Sequence, residues 1–307
     1  MQGSVGPAHS VGQTCFFTLV TDRGEWRARL FIESLRAFGG PLKDCPVWVF
    51  HVGVEQVPDL CRDMAGVRCI PLALDEELGG YFFAAKVSAC AQAEELADPG
   101  AHSLVWVNPS CLIVNPPLLF DLRPSFDAAF RTVHHRNVGS LVGEPLDDFW
   151  QAVYRMVGIE EAPFTITSFV DRQAIRPYFN THCFAIDPTK GICRAWLEYF
   201  RAMVLDRAFQ AGPGRDQLYQ IFVHQAILSA LVAKELPQER IRLLPLEYSY
   251  PLHMHGQVPA ARRAKALRDL VCPVYEEELV LEGLSVDESL SSWLAARLPR
   301  SESKQKG

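Results

Sequence analysis

The side chains best suited to chemistry fall in a few short segments. Asn108-Pro109-Ser110 sets two neutral oxygen donors on a turn stiffened by proline. Asn108 can accept a hydrogen bond from a hydroxyl and Ser110 can touch an anion, but neither supplies the anionic oxygen that a hard divalent cation favours. Asn180-Thr181-His182 sets an amide beside an imidazole. His224-Gln225 puts a ring able to act as a general base near neutral pH next to a second amide. The apolar neighbours Phe222, Val223, Ala226 and Ile227 equally suit a packed helix histidine. His134-His135-Arg136-Asn137, followed by Asp147 and Asp148, gathers rings, a guanidinium and acids. That group can hold an anionic or hydroxylated ligand, with Asp147 or Asp148 as a base; it also reads as a polar loop with a helix capped from Asp147. Adjacent strand residues face opposite ways, so His134 and His135 are not expected to share a metal. His253-Met254-His255-Gly256 precedes the cations Arg262, Arg263 and Lys265.

The elements that must position these groups follow from apolar patterning. The unbroken apolar run at 14–20 reads as a buried parallel strand. Thr21-Asp22-Arg23-Gly24 breaks it, and Thr21 or Asp22 can cap the helix that follows. Trp26, Leu30, Ile32, Leu35 and Phe38 give that helix its apolar face, and Gly39-Gly40 ends it. Strands at 46–52, 67–72 and 103–107 then alternate with helices at 54–65 and 82–96. Such alternation implies a parallel sheet covered on both faces and linked by right-handed crossovers. Ligands of these sheets bind beyond the carboxyl ends of the strands, so the loops after Val20 and Val107 are expected to meet in one crevice.

Beyond Pro116-Pro117 the alternation weakens, with strands predicted at 126–132, 178–186 and 241–244 and helices at 146–156, 188–205 and 216–234. No internal repeat, low-complexity stretch or Gly/Ser-rich linker divides the chain. The expected fold class is α/β: a single Rossmann-like domain over 14–300, with a mostly parallel central sheet flanked by helices. It falls into halves at 14–115 and 116–300, between a flexible start at 1–13 and a disordered, lysine-rich tail at 301–307.

Bulk properties narrow the function. The 307 residues are 49% hydrophobic with a net charge of -6, which offers no general attraction to nucleic acid or anionic membranes. Residues 1–13 lack the pattern of a secretory signal, and no stretch approaches the roughly 20 apolar residues of a spanning helix. A cytoplasmic location without an integral membrane segment is expected. The nine cysteines are odd in number and lack Cys-x-x-Cys spacing, which suits buried reduced thiols. The chain has no Gly-x-x-x-x-Gly-Lys-Ser/Thr loop, no Gly-x-Gly-x-x-Gly after a strand, no Gly-x-Ser-x-Gly and no His-Glu-x-x-His, which disfavours the commonest alternative α/β chemistries.

Taken in order, five segments resemble a known group. They are Thr18-Leu-Val-Thr-Asp22-Arg23-Gly24, Tyr81-Phe-Phe-Ala-Ala-Lys86, Leu104-Val-Trp-Val-Asn108-Pro109-Ser110, Tyr178-Phe179-Asn180-Thr181-His182 and His224-Gln225-Ala-Ile-Leu. Their order and spacing resemble GT-A type glycosyltransferases, the fold of glycogenin and the bacterial lipopolysaccharide galactosyltransferases, over about residues 14 to 255. In that group the third segment usually reads Leu-Asp-x-Asp, the fourth Phe-Asn-Ser-Gly and the fifth Asp-Gln-x-x-Leu. The resemblance implies a nucleotide-sugar donor, UDP- or GDP-linked, and an acceptor that the motifs do not specify. It also implies a manganese or magnesium ion that stabilises the departing diphosphate. With Asn108 and Ser110 at the carboxylate positions, that ion is expected to be weakly bound or dispensable.

By the same resemblance, Thr18 and Asp22 face the base and ribose, Lys86 the phosphates and Asn180 the sugar, while Asn108 can accept from a ribose or ligate weakly and Ser110 can touch a phosphate. His253 corresponds to a metal-ligating histidine in a His-x-x-Gly-x-x-Lys-Pro segment whose lysine is missing here; Arg262, Arg263 and Lys265 can neutralise a diphosphate instead. His224, Gln225 and Asp148 are the catalytic candidates. His182 brings a bulky ring to a place where backbone usually approaches the substrate. Replacement of the motif acids by Asn108, Ser110 and His224 also admits a non-catalytic relative that kept the fold as a binding module.

Overall fold

The apolar run at the start of the described chain forms the strand on which the sheet is built. In the computed structural model, which describes residues 14–21, 24–53 and 59–298, β1 (Thr14–Val20) is buried along nearly its whole length, as a strand covered on both faces must be. It is followed by α1 (Glu25–Phe38), β2 (Val47–His51), α2 (Leu60–Asp63), β3 (Val67–Pro71), α3 (Ala84–Glu95) and β4 (Ser103–Val107). The next elements are β5 (Ala128–Thr132), α4 (Asp148–Val157), β6 (Ile166–Thr167), β7 (Ala174–Ile175) and β8 (Phe179–Ile186). Three helices come next, α5 (Ile192–Leu205), α6 (Arg207–Ala211) and α7 (Gln217–Glu235). The described chain closes with β9 (Ile241–Leu243), β10 (Tyr248–Pro251), β11 (Cys272–Val274) and α8 (Glu288–Ala295).

The central sheet has the order β3-β2-β1-β4-β8-β5-β9. β1 runs parallel to β2 and β4, β2 to β3, and β5 to β9. β8 runs antiparallel to both its neighbours, β4 and β5. The result is the expected α/β architecture with a mostly parallel sheet. Side chains alternate across it. Phe17, Trp106, Phe130 and Phe184 face α3, α5 and α7, while Phe16, Val49, Val105 and Ala185 face α1 and the segment around β10 and β11. Helix α7 is buried from Val223 to Ala233, so this stretch shows little polar–apolar alternation. The buried carboxylate of Glu94, at the end of α3, accepts hydrogen bonds from the Cys193 and Arg194 amides at the start of α5 (both 3.0 Å). That contact satisfies helix-end donors and ties the two helices together.

Several expectations are corrected in detail. The helix expected at 188–205 is interrupted where Gly191 adopts φ 69°, leaving a short turn at Pro188–Lys190 before α5. The helix expected at 82–96 begins at Ala84, because Phe83 takes φ 62°. Of the helix expected at 54–65, 54–58 lies outside the described residues and the helical part is Leu60–Asp63. The expectations for 1–13 and 301–307 also lie outside them. Cys15, Cys45, Cys90, Cys111, Cys183, Cys193 and Cys272 are free and buried, but Cys69 is disulfide-bonded, contrary to the expectation of reduced thiols throughout. Among the described residues no helix is long and apolar enough to cross a membrane.

Candidate functional site

The topology brings the loops after β1 and β4 together at their carboxyl ends. Leu19, Thr21, Asn108, Pro109 and Ser110 line one recess with Arg27, Glu276 and Glu277. Asn108 and Glu276 also border a neighbouring cleft of about 260 Å³. Into that cleft α3 contributes Lys86, β8 contributes Asn180, Thr181 and His182, α7 contributes His224 and Gln225, and the segment after β10 contributes His253. Phe83, His134 and Asn137 complete much of its wall. Lys86, Asn108, Asn180, His224, Gln225 and His253, scattered along the sequence, therefore share one cavity. Ser110 lines the outer recess only.

Two predicted residues stand elsewhere. Thr18 is fully buried and lines neither cavity; its strand neighbour Leu19 and the following Thr21 do so instead. Asp148 is exposed in the first turn of α4 and also lines neither. Asp147 caps that helix by accepting from the Trp150 amide at 2.8 Å. Asp22 lies outside the described residues.

An irregularity in β8 shapes the centre of the cleft. Along β5 the pairing partner jumps from Phe184, opposite Phe130, to Asn180, opposite Arg131. Extra residues in one strand of an antiparallel pair form a bulge that re-aims side chains. The freed carbonyl of Thr181 accepts hydrogen bonds from Lys86 Nζ at 2.5 Å and Trp106 Nε1 at 3.1 Å, and that of His182 accepts from the Asn108 amide at 2.7 Å. Lys86 Nζ lies between the Phe83 and Trp106 rings, 5.6 and 5.5 Å from their centroids. Burial lowers its pKa from 10.5 to about 8.

The two asparagines are committed to local structure. Asn108 Oδ1 accepts from the Ser110 amide at 3.0 Å and the Ser110 hydroxyl at 2.9 Å, closing the tripeptide as an Asx turn. Asn180 Oδ1 accepts from the His182 amide and His182 Nδ1, both at 2.8 Å, and from Ser249 Oγ at 2.9 Å. The opposite ring nitrogen of His182 lies 2.6 Å from Glu276 Oε1. Burial on its own would raise the Glu276 pKa, but the hydrogen bond from His182 and then the charge of that ring outweigh it and hold the carboxyl at about 2.

His224 is buried between rings. Its imidazole stacks on Phe83 with centroids 4.3 Å apart and on Trp196 at 6.2 Å. Nδ1 donates to the Ile221 carbonyl at 2.9 Å, which leaves Nε2 as an acceptor 3.3 Å from Thr181 Oγ1. Burial first, then the nearby Lys86 charge, push its pKa well below the usual histidine range. The ring is neutral and weakly basic. Gln225 Oε1 lies 3.3 Å from the same threonine hydroxyl.

The donor set suits a tightly held cation poorly. Among the described residues no three His, Cys, Asp or Glu side chains converge to hold a metal ion. His253 is exposed at the rim, 6.4 Å from the His134 ring centroid, and is without a set of co-ligands there. His134 Nε2 is occupied by the Ser249 carbonyl at 2.7 Å. Sequence reasoning missed Glu276. Its only signal was a run of three acids, Glu276-Glu277-Glu278, directly after an apolar stretch.

The sheet order, the antiparallel β8 and the crevice at the ends of β1 and β4 define the GT-A glycosyltransferase fold. The solved structure of galactosyltransferase LgtC in complex with donor and acceptor sugar analogues shares it with a TM-score of 0.54 at 12% identity, over 92% of this chain and 93% of that one. An active-site variant of LgtC matches with a TM-score of 0.53 at 11% identity, over 92% and 93% of the two chains. The bifunctional glycosyltransferase WbbM matches with a TM-score of 0.52 at 10% identity over 90% of this chain, which spans 48% of WbbM. No protein-family model and no curated protein matches the sequence.

Proposed function

We propose that the protein transfers a sugar from a nucleoside-diphosphate sugar, UDP- or GDP-linked, to an acceptor. The observation that carries this reading is the single cleft, at the carboxyl ends of β1 and β4 in a GT-A fold, that gathers Lys86, Asn108, Asn180, His224 and Gln225. In such a transfer the bond from the sugar's anomeric carbon to the diphosphate breaks, and its electron pair leaves on the diphosphate oxygen. The acceptor oxygen bonds to that carbon and releases its proton. His224 Nε2, a neutral acceptor in the cleft wall, is the candidate to receive that proton, and Gln225 the candidate to face the sugar. Lys86 offers positive charge toward the phosphates. Manganese or magnesium is weakly held or dispensable on this reading, because Asn108 and Ser110 bond each other.

Turnover of a panel of nucleotide sugars, with manganese and with EDTA, tests the proposal alongside calorimetric donor binding. Donor turnover that survives EDTA supports it, and failure to bind any nucleotide or nucleotide sugar rejects it. The reading as a non-catalytic binding module draws on the low basicity of His224 and the internal bonding of both asparagines. Donor binding without hydrolysis or transfer to any acceptor would favour it.

A further inference from the structure

We propose, resting on the donor reading above, that His182 is held as an imidazolium and supplies the positive charge that receives the donor diphosphate in place of a divalent cation. The hydrogen bonds assign both ring protons. The His182 backbone N–H can only donate, so the Asn180 atom 2.8 Å from it is the amide oxygen and not the amide nitrogen. That oxygen can only accept, so His182 Nδ1, 2.8 Å away, carries a proton. Across the ring, Nε2 lies 2.6 Å from Glu276 Oε1, and an ionised carboxylate also only accepts. Nε2 therefore carries the second proton. A carboxyl is the stronger acid of the two, with an ordinary pKa of about 4.3 against about 6.5 for imidazole, so the proton between them sits on the ring.

The surroundings suit a fixed cation. His134 stacks on His182 with centroids 5.7 Å apart and rings 13° from parallel, and burial keeps it neutral. His224 is neutral for the same reason. Partial desolvation at the rim likewise lowers the pKa of His253, while Lys86 is the other cation of the cleft. Glu276 is the one carboxylate among the residues lining this cavity, and its side chain is 41% exposed, so it can turn to solvent. The Asn108 amide binds the His182 carbonyl, which fixes the ring beside the turn that stands in for the metal motif. A phosphate oxygen entering the cleft replaces Glu276 on Nε2–H. The new bond is charge-assisted, and no proton changes hands.

Two measurements in EDTA test this. Nitrogen-15 NMR of histidine-labelled protein at pH 7 is expected to show two ring N–H groups on His182, with Nε2–H shifting when inorganic pyrophosphate is added. Calorimetry with pyrophosphate, UDP and GDP is expected to show affinity falling roughly ten- to hundredfold in His182→Gln, as loss of a hydrogen bond from a charged donor implies. A single ring N–H on His182, affinity in His182→Gln within about twofold of the unaltered protein, or no binding of any of the three probes to that protein overturns the proposal. NMR needs no variant, so a His182→Gln chain that failed to fold would leave the test intact. If pyrophosphate binds through His182 but no nucleotide sugar binds or turns over, the donor reading fails and the imidazolium assignment stands. If nucleotide sugars bind equally well without His182, the reverse holds.

Discussion

Replacing Lys86 with methionine should make the protein more stable and, on the proposed reading, less able to bind a nucleoside diphosphate. Lys86 is fully enclosed, and burial lowers its pKa from 10.5 to about 8. At about 1.4 kcal/mol per pKa unit, holding the charged form inside the fold costs roughly 3 kcal/mol near pH 7. The one direct hydrogen bond lost is that to the Thr181 carbonyl, which keeps the Trp106 Nε1 donor at 3.1 Å, so no buried acceptor is orphaned. Methionine fills similar volume without charge. The expected gain is about 2 to 3 kcal/mol at pH 7.

Its pH dependence carries a definite sign. Below about pH 8 both folded and unfolded lysine are protonated and the full cost applies. Between about pH 8 and 10.5 the unfolded chain holds the proton and the folded protein has released it, so the stability of the unaltered protein rises with pH. The advantage of Lys86→Met should therefore shrink toward zero by about pH 10.5. Urea unfolding followed by circular dichroism, at pH 7, 8, 9 and 10, compares the two proteins directly. A less stable variant at pH 7, or an advantage that does not change with pH, would refute the reasoning. Loss of UDP or GDP affinity in the same variant would mark the lysine as a charge retained for binding at the expense of stability.

Asn180→Ala removes one oxygen that accepts three hydrogen bonds. At about 1 kcal/mol each it should destabilise the fold by roughly 2 to 4 kcal/mol, measured by urea unfolding, whereas Asn180→Asp, which keeps the acceptors, should stay within about 1 kcal/mol of the parent. Thr18→Val should add about 1 kcal/mol of stability, because the Thr18 hydroxyl is buried without a partner; calorimetric nucleotide binding should not change, since Thr18 lines neither cavity. Glu276 is held at about pKa 2 against an ordinary 4.5, so it contributes stability that is present above pH 4.5 and lost as the pH falls toward 2. Acid unfolding of Glu276→Gln should lack that contribution, which for a side chain 41% exposed amounts to less than about 1 kcal/mol.

The first half of the fold was legible because buried parallel strands are short, unbroken apolar runs. The runs at 14–20, 46–52, 67–72 and 103–107 correspond to β1 to β4. The meeting of the loops after Val20 and Val107 followed from the same topology and is realised in the recess lined by Leu19, Thr21 and Asn108. Strands β10 and β11 escaped notice because they are three or four residues long and carry Pro251 and Pro273. Thr18 was misplaced by a choice of strand face, since adjacent side chains on β1 point to opposite sides. The adjacent acids Asp147 and Asp148 read alike in sequence, and only the helix-end geometry separated the capping residue from its exposed neighbour.

By itself the sequence determined the α/β class, the order of the strands and helices in its first half, and the set of segments that converge at the sheet's carboxyl edge. It also placed Asn108-Pro109-Ser110 where the resemblance expects an acidic motif. Only the tertiary structure decided what those segments do on arrival. It tied Asn108 to Ser110, committed the Asn180 amide oxygen to the support of His182, and set Glu276 against that ring. The physical reason is that fold class follows from local apolar periodicity, which is written along the chain. The charge and hydrogen-bonding state of a polar side chain depends instead on burial and on partners brought close only by folding.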